Sequence, residues 1–432
     1  MRGLYSFAIA FYATGVRIAS IFNKKAKLIC KGWHKWAQRV PWEKLNGHKV
    51  AWFHASSLGE FEQARPVMES FRADNPNYKI LLTFFSPSGY EVRKNYNGAE
   101  IVCYLPPDSR RNAKKFITKS HPDIVFFVKY DYWFNYLNEL QKNGRNTPVY
   151  LFSAILRPNQ YFFKWYGRWF ARQLQCYRHI FVQNDISLAL LQSVGMTRCS
   201  IAGDTRFDRV NDIVKNAKTI AAVEMFIANG GDYIPKQNNV LMAGSSWPPD
   251  EQYIHSFTKS QKDIKVILAP HVIDESHLAQ IEIIFGKTNC VRYSEICNSN
   301  SQEQNTRQVL IIDNIGMLSS LYRYATVACI GGGFGKGIHN TLEATVFGCP
   351  VCFGPNYQKF QEARDLISCG GARNYNNDQE LSQILSEWLY NSESYNKASQ
   401  ACISYMQKNL GATSLILKQV ENDLHIAEGG IV

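Results

Sequence analysis

Twelve short apolar runs, separated by stretches of helical length, recur along the chain in two series. The first comprises KVAWFHA (49–55), KILLTFF (79–85), IVCYLP (101–106), DIVFFV (123–128), PVYLFSA (148–154), HIFVQN (179–184) and CSIAG (199–203). The second comprises NVLMAG (239–244), KVILAP (265–270), VLIID (309–313), TVACIGG (326–332) and PVCFG (350–354). Strands joined by helix-length connections run parallel, and near-continuous apolar runs belong to strands covered on both faces. The pattern predicts an α/β chain of two doubly wound, Rossmann-like domains facing a cleft, which suits a length of 432 residues. The boundary is expected in 211–238, whose end NGGDYIPKQNN (229–239) is rich in turn formers. The polar tract NSNSQEQNT (298–306) reads as a surface loop, and the pattern from about 378 onward is helical.

Charge distribution narrows the function classes. Residues 1–45 carry nine Lys and Arg against one acid, Glu43, which accounts for two thirds of the net charge of +12. A nucleic-acid binder spreads its cations over a groove or face, whereas this block adjoins the apolar run LYSFAIAFYATGVRIASIF (4–22). Nineteen helical residues reach about 28 Å, close to a bilayer core. The segment is expected to anchor the chain, either by spanning a membrane or by lying in its interface. The basic stretch with Trp33, Trp36 and Trp42 would then face anionic lipid. A cleaved signal peptide is not expected, because the charges follow the apolar run. Eleven scattered cysteines, with Cys349-Pro-Val-Cys352 the one C-x-x-C, read as reduced core thiols.

In doubly wound sheets, ligands collect beyond the carboxyl ends of the strands, so the strand-to-helix junctions hold the candidate sites. HASSLGE (54–60) is such a junction: small residues leave room for a substrate, and Glu60 is either a catalytic carboxylate or a first-turn acid complementing the helix dipole. Pro66 would kink a helix that already began near Glu60. Lys129 and Asp131 in KYDYW follow the strongest strand, and Asp204, Arg206 and Asp208 in GDTRFD follow another. In GGGFGKGIHNTLEA (331–344), five glycines lead into a helix opening near Asn340, a backbone suited to an anion. It lacks the Walker Ser/Thr and the dinucleotide spacing. Asn340 and Glu343, three apart, could both reach one ligand. The segment 157–179 carries five cations and no acid among its aromatics; it could touch lipid or an anionic acceptor, or bury one aromatic face. With no D-x-D triplet and no histidine cluster of ligand spacing, no metal or other cofactor is expected.

Together, HASSLGE, SPSG (86–89), VQND (182–185), GDTRFD (203–208) and GIHNTLEA with FGP (337–355) resemble the Kdo transferase family, which adds 3-deoxy-D-manno-octulosonic acid (Kdo) to lipid A precursors. The resemblance implies a GT-B glycosyltransferase at the cytoplasmic face of the inner membrane of a Gram-negative bacterium. It implies an anchor at 1–45, an acceptor-binding domain at 46–210, a linker at 211–238, a CMP-sugar domain at 239–410 and a helix at 411–432 crossing back toward the first domain. The implied donor is CMP-Kdo and the implied acceptor lipid IVA, with anionic lipids but no nucleic acid as partners. By matching positions, Glu60 is the general base of an inverting displacement, and Arg206 is the cation that stabilises its transition state. CMP contacts fall on Pro270, His271, Ile315, Gly316, Met317, Asn340, Thr341, Leu342 and Glu343. Two departures concern the site. Lys129 stands where many members have an acid, and would face phosphate or the Kdo carboxylate. His271 follows Pro270 where many members have Arg. The competing readings are a GT-B transferase using a UDP-sugar on a membrane lipid, and a non-catalytic basic protein of the membrane surface.

Overall fold

The computed structural model describes residues 2–142, 146–228, 234, 239–298 and 306–429. Most of the tract at 298–306 and of the turn-rich stretch at 229–239 lies outside these residues. The chain divides into two units, Met1–Arg209 with Leu410–Val432, and Val210–Asn409.

The first unit is built on seven strands, β1 (Lys49–Ala55), β2 (Tyr78–Phe84), β3 (Ile101–Tyr104), β4 (Ile124–Val128), β5 (Val149–Ala154), β6 (His179–Val182) and β7 (Cys199–Ile201). All pair in parallel in the order β3-β2-β1-β4-β5-β6-β7. The second unit holds β8 (Val240–Ser246), β9 (Lys265–Pro270), β10 (Cys290–Arg292), β11 (Val309–Ile311), β12 (Val327–Ile330), β13 (Val351–Phe353) and β14 (Ala372–Asn374), parallel in the order β10-β11-β9-β8-β12-β13-β14. The period of two explains why the runs read as continuously apolar: in β1, Val50 and Trp52 enter one core while Ala51, Phe53 and Ala55 enter the other. In β12, Ala328 and Ile330 oppose Val327 and Cys329 in the same way. The chain is thus α/β with two Rossmann-like units, the make-up of the GT-B class. Chain order reverses between β1 and β4, and again between β8 and β12, which places a ligand-binding crevice at each point.

The stretch expected as a linker carries the helix Ala221–Ala228, whose Val223, Phe226 and Ile227 enter the second core. The helix Ala412–Gly429 contributes Ile416 and Val420 to the first core, and Asp208 accepts from Gly411 N at 2.7 Å and Thr413 N at 2.6 Å. Helix Leu58–Asp74 runs through Pro66 as one element. Its buried face, with Ala64, Pro66, Val67 and Met68, offsets the bond that proline removes.

The apolar run at 4–22 folds as the helix Arg2–Ala19, followed by a turn. Among the described residues no helix is long and apolar enough to cross a membrane, which corrects the spanning alternative. The helix carries Arg2 and Arg17, and Tyr5 donates its hydroxyl to the buried Asp108 Oδ2 at 2.6 Å. Its other side presents Leu4, Phe7, Phe11 and Ile18 to solvent at helical spacing. The segment 157–179 is not one helix. It forms two 3₁₀ turns and the helix Arg168–Leu174; Phe162 and Leu174 are buried while Trp165 is 88% exposed.

Candidate active site

In the first unit the functional side chains converge on the junctions after β1 and β4, the two strands at the reversal of chain order. Ser57 caps the helix Leu58–Asp74: its hydroxyl accepts from Glu60 N and donates to Glu60 Oε2 at 3.2 Å. This S-x-x-E spacing is that of a capping box, so Glu60 is held at the first turn and not free to swing. Ser56 N-terminal to it is fixed from two sides, since Ser86 N donates to its carbonyl at 2.7 Å and its hydroxyl donates to Asp131 Oδ1 at 2.6 Å.

Beneath the loop lies a buried polar group. His54 Nδ1 sits 2.8 Å from Thr83 Oγ1, and His54 Nε2 lies 3.3 Å from Ser56 Oγ and 3.8 Å from Asp131 Oδ1. His54 and Asp131 do not form an ion pair despite that distance. Burial pushes His54 down to about 3, and burial, then the charge of Glu60, pushes Asp131 well above the carboxylate range. Asp131 Oδ2 is buried without a hydrogen bond of ordinary geometry. Glu60, half-buried, is also raised by burial, against the opposing effects of the Ser57 hydrogen bond and the positive charge of Lys129. A carboxylate raised in this way and held in place is equipped to take a proton.

Lys129, just after β4, adopts φ +59°, a conformation uncommon for L side chains, and its Nζ lies 5.4 Å from the Tyr130 ring centre. Tyr130 lies within electrostatic reach of Arg157, Glu60, Arg206 and Asp204, so charged residues from three separate junctions share one neighbourhood. Arg206 is committed to Asp204: its Nε and one terminal nitrogen each lie 2.8 Å from Asp204 Oδ2, and Gln63 donates to Asp204 Oδ1 at 2.9 Å. Burial alone would raise Asp204, yet the Arg206 charge and these bonds hold it below the ordinary carboxylate value.

In the second unit, Pro270 ends β9 and His271 begins the following loop. The His271 ring stacks on both Trp247 (centroids 4.8 Å apart) and His339 (4.4 Å), which lie beside each other, with Trp247 Nε1 donating to His339 Nε2 at 3.2 Å. Gly331–Gly333 are buried where β8, β12 and β13 end; a Cβ on Gly331 would stand 2.1 Å from the Ser245 carbonyl oxygen. Asn340 donates to Glu343 Oε1 at 2.8 Å, so this pair is brought together, while Thr341 and Leu342 are buried. The helix expected near Asn340 is the single turn Leu342–Thr345, which sums few peptide dipoles. Ile315 is 92% exposed, Gly316 has φ +102°, and Met317 Sδ accepts from Asn314, all on the loop after β11, next to β9 in the sheet. Among the described residues no group of three or more His, Cys, Asp or Glu is placed to hold a metal ion. Sequence reasoning missed the capping role of Ser57, which the S-x-x-E spacing signals, and the rings Trp247 and His339, which no local pattern marks.

Residues 34–209 match the family described as 3-Deoxy-D-manno-octulosonic-acid transferase (kdotransferase). The 3-deoxy-D-manno-octulosonic acid transferase of Rickettsia prowazekii (strain Madrid E) is 25% identical over 361 residues, 80% of this chain and 73% of that protein. That of Aquifex aeolicus (strain VF5) is 25% identical over 354 residues, 81% and 89% of the two chains. Among solved structures, the UDP-GlcNAc 2-epimerase of Neisseria meningitidis bound to UDP-GlcNAc superposes with a TM-score of 0.60 at 15% identity, over 87% of this chain and 100% of that one, a likeness of fold. The HASSLGE and GIHNTLEA motifs lie at the two reversal points of such a fold; residues 34–209 match the Kdo transferase family model, and about 80% of the chain is similar to Kdo transferases of several bacteria.

Proposed function

We propose that the protein transfers Kdo from CMP-Kdo to the lipid A precursor lipid IVA, at the cytoplasmic face of the inner membrane, by a single inverting displacement. The observation that carries the reading is Glu60. It is fixed by Ser57, half-buried and raised by burial, at the reversal point of the first sheet, where Lys129 supplies positive charge and Arg206 stands nearby in its pair with Asp204. The acceptor hydroxyl attacks the anomeric carbon of the donor while its proton passes to a Glu60 oxygen. The bond from that carbon to the phosphate oxygen breaks, and its electron pair leaves with CMP. Arg206 and Lys129 offset the negative charge that develops. The second unit supplies the CMP contacts, through Pro270-His271, Ile315–Met317 and Asn340–Glu343. The scheme uses no metal, in keeping with a sequence without a D-x-D triplet.

The apolar stripe Leu4, Phe7, Phe11 and Ile18, with Phe22 beyond the helix and the basic block behind it, supports an interfacial seat on anionic lipid, where the acceptor resides. The test is CMP release from CMP-Kdo, with and without lipid IVA, in the wild type and Glu60→Ala. Acceptor-dependent release that disappears in the variant is expected. Failure to release CMP with lipid IVA, while a UDP-sugar is consumed, overturns the donor.

A further inference from the structure

The transfer reaction leaves unused the aromatics and cations of 161–172, in the first unit. One side of this loop is pinned. Tyr161 packs on Phe170 (ring centroids 4.5 Å apart) and Phe162 on Tyr132 (4.7 Å), and Gly167 N donates to the Lys164 carbonyl at 2.7 Å. Gly167 is buried where the loop closes on itself, and a Cβ there would overlap the Tyr161 carbonyl oxygen. The other side is open: Trp165 is 88% and Tyr166 52% exposed, in edge-to-face contact with each other at 5.5 Å.

Beside Trp165 opens a cavity of about 480 Å³ whose lining includes Phe162, Phe163, Lys164, Trp165, Arg168 and Arg172, and no acid. Arg168 and Arg172, four apart, share one face of the helix Arg168–Leu174. Among the described residues the side chains of Lys164, Arg168 and Arg172 make no hydrogen bond or ion pair. Three like charges around one cavity repel one another, and no carboxylate in the lining offsets them. An anionic occupant would. The neighbouring helix indicates which kind. Trp169, beside Arg168 in sequence, lies 6.2 Å from Tyr5 of the helix Arg2–Ala19, and Phe134 packs on both rings at 5.5 and 5.1 Å. That helix exposes Leu4, Phe7, Phe11 and Ile18, an apolar stripe that a nucleic acid would leave in water and a bilayer would cover.

We propose that the loop 161–172 is a second membrane contact, in which the phosphate of an anionic phospholipid sits in the cavity among Lys164, Arg168 and Arg172 while Trp165 enters the headgroup boundary. This rests on the interfacial seat given above and adds to it a headgroup site on a separate stretch of chain. Guanidinium forks match phosphate oxygens in pairs, and the long cationic stems cover apolar surface while their heads stay at the phosphate level. An indole, apolar in body with one N–H to satisfy, suits the same depth.

The test is flotation of the full-length protein with vesicles of phosphatidylcholine, alone or with about one third phosphatidylglycerol. The wild type is expected to float best with the anionic vesicles. Each cation removed lowers partitioning onto an anionic surface by about fivefold, so Lys164→Gln, Arg168→Gln and Arg172→Gln combined should lower it about a hundredfold. Because those side chains make no internal bond, the variant should melt with the wild type. Trp165→Ser should weaken binding to both vesicles, and Phe7→Ser with Phe11→Ser reads the helix stripe separately. A triple variant that floats like the wild type overturns the inference and leaves the interfacial seat standing. Release from anionic vesicles by glycerol phosphate at constant ionic strength would assign the cavity to a soluble phosphate. Binding of a single-stranded oligonucleotide that the triple variant loses would assign it to nucleic acid. Either result overturns the lipid site. A wild type that floats with neither vesicle overturns the inference and the interfacial seat together.

Discussion

Each sheet is parallel throughout and has a point where chain order reverses, yet the chemistry at those two points is opposite. After β1 and β4 the chain places ionisable groups, the carboxyls Glu60 and Asp131 with the cations Lys129 and, nearby, Arg206, over a buried polar floor of His54 and Thr83. After β8, β9 and β12 it places rings and glycines, in which shape and stacking dominate. The fold fixes where a ligand can sit, and the junction residues decide what happens there. On the proposed reading, the unit that moves a proton keeps a carboxylate half in the protein, and the unit that holds the nucleotide keeps flat faces and bare backbone.

The sharpest way to break this division is Glu60→Ala, expected to lower turnover by about 10²–10⁴-fold while the affinity for CMP stays unchanged, read by steady-state kinetics and titration. A matching loss of CMP affinity would mean that the division of labour is wrong. Next in size is the core that supports the charged junction. Trp52 is fully buried and donates to Thr83 Oγ1 at 2.8 Å, so Trp52→Ala should cost about 3–5 kcal/mol of the first unit's stability. Hydrogen exchange should show that loss in β1 and not in β8.

A third comparison uses one carboxyl from each unit. Burial raises Asp108 in the first unit and Asp250 in the second to about 6 from an ordinary 3.8. Because both folded values lie above the unfolded one, each contributes stability that is complete below about pH 4. That stability is lost as the pH rises through about 6, with a change of up to about 3 kcal/mol each. Asp250→Asn should flatten that dependence for amides of β8 and leave β1 unaltered. Smallest is Ser57→Ala, expected to cost about 1 kcal/mol by removing the cap, and to lower turnover while Glu60 is retained.

The parallel sheets were legible because their strands are apolar on both faces: runs such as KVAWFHA and DIVFFV admit few other readings. The edge strands β10 and β14 were not, because Cys290–Arg292 and Ala372–Asn374 are three residues long and end on polar side chains, too short for periodicity to speak. Glu60 and Arg206 stood out as charges at strand ends. The stack of Trp247, His271 and His339 did not, since strand order brings together positions up to 92 residues apart, and strand order is a property of the sheet.

The first unit is assembled from both ends of the described chain, and this bears on its synthesis. Ile416 and Val420 complete a core begun by Phe53 and Phe126, but the ribosome reaches them only after the whole of Val210–Asn409. At about 5–20 residues per second, the earlier part of that core waits roughly 10–40 s for its last side chains. The second unit, contiguous in sequence, has no such wait. During that interval the apolar side chains that Ile416 and Val420 will cover stand open, which makes the nascent first unit a natural client for a chaperone.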